Sequence, residues 1–217
     1  MRTKTILLSA AAIAAGLLSS VAQSNVYSVN VVGYVNTTFA GLGKYTLVAN
    51  PLVAPTNDLV ALLDAVLPNK SQVLTWNGTG YVGSSKAGGI WSANLPLPVG
   101  SGFFVKTPTT SGNLTNTFVG SVLIGFGQTN TVALPAGYTL AGSPVPYAGD
   151  LTTDTNINLG DTLPNKSQML RWDVATQGFV GVSKGGGTWS GSLNVGVGEG
   201  FFINAKSATN WSQTLNP

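Results

Sequence analysis

Pro68-Asn69-Lys70-Ser71-Gln72-Val73-Leu74-Thr75-Trp76 returns as Pro164-Asn165-Lys166-Ser167-Gln168-Met169-Leu170-Arg171-Trp172. A Gly-aromatic-Val-Gly step follows each copy, Gly80 to Gly83 and Gly178 to Gly181. Ser85-Lys86 then precedes Gly88-Gly89-Ile90-Trp91-Ser92, and Ser183-Lys184 precedes Gly186-Gly187-Thr188-Trp189-Ser190. Each copy closes on Gly-x-Gly-Phe-Phe, at Gly100 to Phe104 and Gly198 to Phe202. A duplication this plain sets the architecture without naming an activity.

Working outward, the spacing predicts strands. Tyr27, Val29, Val31, Gly33 and Val35 alternate with Ser28, Asn30, Val32, Tyr34 and Asn36, the period of a strand with one buried face. Tyr45 to Ala49 is a second strand, stopped by Asn50-Pro51. Gln72 to Asn77 and Tyr81 to Ser84 form a hairpin, with Asn77-Gly78 suited to the positive φ of a tight turn. Its counterpart turn, Asp173 to Gly178, is longer by two residues. Ile90 to Leu95 and Gly102 to Thr107 supply two more strands, with Phe103 and Val105 on one face and Phe104 and Lys106 on the other.

Asp58 to Leu67 reads as the one helix. Leu59, Leu62, Leu63 and Val66 form one apolar stripe, Thr56 or Asn57 caps it, Asp58 opens its first turn and Pro68 stops it. The matching stretch from Leu151 to Gly160 is rich in turn-formers and β-branched residues, so a loop or short irregular turn is expected there. Val122 to Phe126 is expected as the opening strand of copy two. The reading is therefore all-β: two tandem homologous antiparallel domains, each sandwich-like or jelly-roll-like, with one short helix in the first. The divisions are residues 1–22, 23–118 and 119–217. No Pro- or Ser-rich linker separates the copies, so they should pack against each other.

Composition excludes much chemistry. The 217 residues contain no Cys and no His. Disulfides, thiol nucleophiles, Cys-based metal sites and every His-dependent triad are impossible. Charged residues are 8%, so Thr, Ser, Asn and Gly must wet the surface. Arg2 and Lys4, the apolar run from Ile6 to Leu18 and Ser20-Val21-Ala22 read as a secretory signal peptide, with Gln23 opening the mature chain. That run is too short to span a membrane. Without Arg2 and Lys4, eight basic residues face seven acidic ones, and nothing points to nucleic acid.

Four sets of side chains are candidates for function. Trp91 with Trp189, and Trp76 with Trp172, could stack sugar rings; equally, all four could cover core and sheet edges. Asp154, Asn156, Asn158 and Asp161 alternate oxygen ligands as calcium loops do, but the glycine is displaced and no terminal Glu follows, so an Asx-rich turn is the competing reading. The mature carboxylates are Asp58, Asp64, Asp150, Asp154, Asp161, Asp173 and Glu199, and no acid–base pair stands out among them. Lys70, Lys166, Lys86 and Lys184 read as solvated turn residues. No catalytic residue and no required cofactor is expected.

Val29-Asn30-Val31-Val32-Gly33-Tyr34-Val35-Asn36 after a signal peptide, Tyr45 to Pro51, the Trp76 hairpin and Gly102-Phe103-Phe104-Val105 resemble a set of uncharacterised secreted proteins of verrucomicrobial bacteria. The resemblance spans nearly the whole mature chain. It implies a β-repeat fold and carries no catalytic residues. Copy two departs from the pattern where Ser143 replaces Asn50.

The expected function is that of a non-catalytic extracellular or cell-surface structural or adhesion protein. An opening strand with no earlier repeat to pair with would dock on another copy or another surface protein by β-augmentation. The alternative is a glycan-binding module using the repeated Trp residues. An outer-membrane barrel is disfavoured by the helix and by Pro217 in place of a terminal aromatic.

Overall fold

The structure, a computed structural model, describes residues 32–215; the signal-peptide reading and the alternation from Tyr27 to Val31 lie outside them. Repeat one contains β1 (Val32–Phe39), β2 (Tyr45–Ala49), α1 (Leu59–Leu63), β3 (Gln72–Trp76), β4 (Tyr81–Ala87), β5 (Ile90–Trp91), β6 (Gly102–Lys106) and β7 (Leu114–Ser121). Repeat two contains β8 (Thr129–Leu134), β9 (Gly137–Gly142), β10 (Gly149–Asp150), α2 (Leu159–Thr162), β11 (Gln168–Asp173), β12 (Gly178–Gly185), β13 (Thr188–Trp189), β14 (Asn194–Val195), β15 (Gly200–Ala205) and β16 (Thr209–Thr214).

Each repeat has an antiparallel five-stranded sheet, ordered β2-β6-β3-β4-β5 in one and β9-β15-β11-β12-β13 in the other. A two-stranded ribbon, β1-β7 or β8-β16, and the short helix cover one face of that sheet. Between these layers in repeat one lie Val35, Phe39 and Phe118 of the ribbon, Leu59, Leu63 and Leu67 of the helical segment, and Val73, Phe103 and Val105 of the sheet. Each such side chain, fully removed from water, contributes about 1.5–3 kcal/mol. The expected alternation holds. Phe103 and Val105 face this core, while Phe104 points the other way into a separate cluster.

That other face joins the repeats. Leu47, Phe104, Leu140 and Phe202 are buried together, with Tyr45, Leu74, Trp76, Leu170 and Trp172 against them. The contacts come in matched pairs, so the repeats are related by an approximate two-fold axis. Val48 bridges Glu199, and Ala141 bridges Ser101. The Ala49 N–H donates to the Gly198 carbonyl, and the Gly142 N–H to the Gly100 carbonyl, each at 2.9 Å. Backbones this close need glycine: a Cβ at Gly142 would collide with that of Ala49, and one at Gly200 would lie 2.6 Å from the Val48 carbonyl oxygen.

Several expectations are corrected. Residues 151 to 158 form turns, as read, but a second short helix that was not expected follows: α2, with Leu159 and Leu163 buried. Asp58, rather than Thr56 or Asn57, is the N-cap of α1, its Oδ1 accepting from the Ala61 N–H at 2.8 Å. The opening strand of repeat two is β8, not Val122 to Phe126, because the ladder that pairs β1 with β7 recurs between β8 and β16. The strand predicted from Ile90 to Leu95 is only the two residues of β5. β1 has its partner within its own repeat, so the premise of a lone opening strand is removed.

Candidate functional site

Side chains on the inter-repeat face stand in rows fixed by the ladders. In repeat one, Tyr45, Lys106, Gln72 and Ser85 form one row across β2, β6, β3 and β4. Leu47, Phe104, Leu74 and Gly83 form the next, and Trp76 pairs with Tyr81 beyond it. Repeat two repeats the plan as Tyr138, Asn204, Gln168 and Ser183, then Leu140, Phe202, Leu170 and Gly181, then Trp172 with Phe179. The glycines leave room for a neighbour, since a Cβ at Gly83 would come within 2.9 Å of the Leu74 side chain.

The rings meet edge to face, the arrangement that ring quadrupoles favour. Trp76 lies 5.5 Å from Phe202, and Trp172 lies 5.1 Å from Phe104. Tyr81 and Phe179 each touch both phenylalanines, at 5.7 to 6.4 Å. The Trp76 Nε1 donates to the Tyr138 carbonyl, and the Trp172 Nε1 to the Tyr45 carbonyl, both at 2.9 Å. These two tryptophans therefore staple each repeat to the backbone of the other.

Two clefts flank the cluster. One, of about 250 Å³, is lined by Tyr45, Leu74, Tyr81, Phe104 and Trp172. The other, of about 320 Å³, is lined by Trp76, Tyr81, Tyr138, Leu170, Phe179 and Phe202. They are near-equivalents under the two-fold. Tyr81 is 48% exposed and Phe179 42%, so ring surface remains open to a ligand. Partial burial raises the Tyr81 phenol above its ordinary value. A third, polar cleft of about 260 Å³ is lined by Lys70, Gln72, Ser85, Lys106, Thr107, Pro108 and Thr109.

Trp91 and Trp189 lie elsewhere. Trp91 is buried, its Nε1 donating to Asp64 Oδ1 at 2.8 Å; the Trp189 Nε1 donates to the Gly160 carbonyl at 3.1 Å. Both rings sit beneath a lysine ammonium, Lys86 at 5.8 Å and Lys184 at 5.7 Å from the ring centroid. The reading of these lysines as solvated is corrected. Lys86 Nζ donates to the Asp64 and Leu67 carbonyls at 2.8 and 2.9 Å, and Lys184 Nζ to the Gly160 and Leu163 carbonyls at 2.7 and 2.8 Å. Each thus satisfies carbonyls left open where a helix ends. Lys70 and Lys166 are exposed, as read, with φ of 70° and 69° in tight turns.

Asp58, Asp150, Asp154, Asp173 and Glu199 accept from backbone N–H groups, and Asp64 from side chains. Burial opposes ionisation of Asp150. It is outweighed by hydrogen bonds from the Thr152 N–H and hydroxyl, Ser192 and the Leu193 N–H, which hold the pKa at about 2. Lys86 and then Trp91 lower Asp64, and the Thr176 hydroxyl lowers Asp173. Burial raises Glu199, against the Gly196 N–H and the charge of Arg171, whose Nε is 3.9 Å from Glu199 Oε1. Asp154 Oδ1 accepts from the Asn156 and Ile157 N–H groups, Asn156 Nδ2 donates to the Tyr147 hydroxyl, and Asn158 Nδ2 donates to the Ser212 carbonyl. With Asp161 these were the calcium candidates; the side chains of Asp154, Asn156 and Asn158 are engaged as turn and loop contacts. Among the described residues no group of three or more acidic side chains is placed to hold a metal ion.

Sequence reasoning passed over Tyr45, Tyr81, Tyr138, Phe179 and Lys106 as site residues. The signal was present in the alternation of Gln72, Leu74 and Trp76, which puts them on one face with the Phe104 position. No family model, curated protein or solved structure matches this chain.

Proposed function

We propose that this chain is an exported, non-catalytic binding protein of the cell exterior, an adhesion or structural module that meets its partner at the aromatic clefts between its repeats. The observation that carries this is the duplication of half-exposed rings around Phe104 and Phe202, in clefts lined by no carboxylate. Aromatic faces with phenol hydroxyls at their rim suit a ligand with an apolar side and polar edges, and glycans have that character. The basic region, apolar run and small-x-small site before Gln23 support export. A glycan array probed with residues 23–217 tests the reading, with Tyr81→Ala and Phe179→Ala as controls. Binding that both substitutions weaken supports it; no binding at millimolar sugar, or binding indifferent to both, sinks it.

Self-association is a second reading. β1 exposes Val32 and Tyr34, and Tyr34 stands opposite the exposed Val119 of β7. Native mass spectrometry of residues 23–217 against 32–217 tests it, and two equally monomeric samples would remove it.

A further inference from the structure

We infer that the cleft of repeat one and the polar cleft beside it form a single binding site for an acidic glycan, a chain of pyranose rings carrying carboxylate or sulfate groups. This rests on the reading that the aromatic clefts contact the ligand. Tyr45 links the two: its ring lines the aromatic cleft, its hydroxyl donates to Gln72 Oε1 at 3.3 Å, and Lys106 Nζ stands 5.1 Å from its ring centroid. Gln72 and Lys106 in turn line the polar cleft with Lys70, Ser85 and Thr107. Two cations therefore sit next to an aromatic floor, and no carboxylate lines either cleft to neutralise them.

A pyranose offers an apolar C–H face to a ring and hydroxyls at its edge, so the floor takes the sugar while Gln72 and Ser85 take hydroxyls. An anionic substituent on the next ring meets Lys106 and Lys70 in a charge-assisted hydrogen bond. The second repeat keeps the floor and Lys166, the equivalent of Lys70, but has Asn204 where Lys106 stands, so the pair of cations belongs to repeat one.

The test is titration of residues 23–217 with polygalacturonate, dextran sulfate and neutral dextran, followed by Trp fluorescence and repeated across salt concentrations. The variants are Lys106→Asn, Tyr81→Ala and Lys206→Asn, each checked for an unchanged melting curve; Lys206 is an exposed lysine outside both clefts. An acidic polymer should bind with affinity that falls as salt rises. Lys106→Asn should weaken it roughly tenfold and Tyr81→Ala by several-fold, with Lys206→Asn without effect. Preference for one polymer identifies the anion and supports the site either way. Failure of both acidic polymers to bind, or equal loss with Lys206→Asn, overturns the site. Dextran binding that Tyr81→Ala abolishes and Lys106→Asn leaves intact would overturn the acidic site while leaving the aromatic reading standing.

Discussion

Where the helical segment meets the hairpin, repeat one holds Asp64 and repeat two holds Gly160. Both residues offer a carbonyl to the conserved-in-both lysine, Lys86 or Lys184. Repeat one adds a carboxylate, which takes Lys86 Nζ at 2.7 Å and the indole of Trp91. Repeat two has no side chain there, and the Trp189 indole turns to the backbone instead. The reason lies in the preceding loop. The Leu59 and Leu151 N–H groups make the same bond, to the carbonyls of Leu95 and Leu193, but the chain then runs four residues further before it reaches Leu159 than before Leu63. The added residues break one helix into a turn and a short helix, and bring the Thr152 carbonyl against Gly160. Trp211, which has Leu114 as its counterpart, closes over the longer loop by donating to the Ile157 carbonyl at 2.6 Å. The same joint is thus built with a side chain in one copy and with backbone in the other.

Substitution at the paired positions breaks or sharpens this contrast. The largest effect is expected from Gly160→Ala, because a Cβ there collides with the Thr152 carbonyl oxygen. A loss of about 3 kcal/mol is expected in urea unfolding, whereas Asp64→Ala should be mild; equal costs would mean that the two joints are alike. Next come Lys86→Met and Lys184→Met. Each strands two helix-end carbonyls and should cost about 2 kcal/mol, with Lys86→Met the worse because it also leaves Asp64 unpaired. Gln177→Ala should cost about 1 kcal/mol in the same assay. Its side chain accepts from the Tyr45 N–H at 2.8 Å and donates to the Tyr45 carbonyl at 3.1 Å. The shorter turn of repeat one, from Asn77 to Gly80, makes no such clamp.

The smallest expected effect is one of pH. The Asp150 carboxyl is lowered from 3.8 to about 2, so its contribution is complete above about pH 4 and drains away as pH falls towards 2. Asp150→Asn should flatten the acid limb of a melting-temperature profile and leave its neutral region parallel to that of the parent chain.

The duplication, the strand periods and the two faces of Gly102 to Lys106 were legible in the sequence because each is a local pattern with a fixed structural period. The second helix was not. It is only Leu159-Gly160-Asp161-Thr162, too short to show a helical period and made mostly of residues that favour turns, and it is held by the burial of Leu159 and Leu163. The lysines were misread for a related cause. A charge beside glycines looks solvated until its carbonyl partners, 19 to 24 residues distant, are in place. Site residues were missed because the aromatic surface arises only when two sheets face each other, and no single repeat displays it.

The approximate two-fold has a corollary for a chain of half the length. A lone half-length chain of the repeat-one type would expose Leu47, Leu74, Trp76 and Phe104 together, and a face that fits its own rotated image closes on a twin. Joining the halves in one chain lets equivalent positions differ, as Lys106 and Asn204 do, which identical subunits could never do.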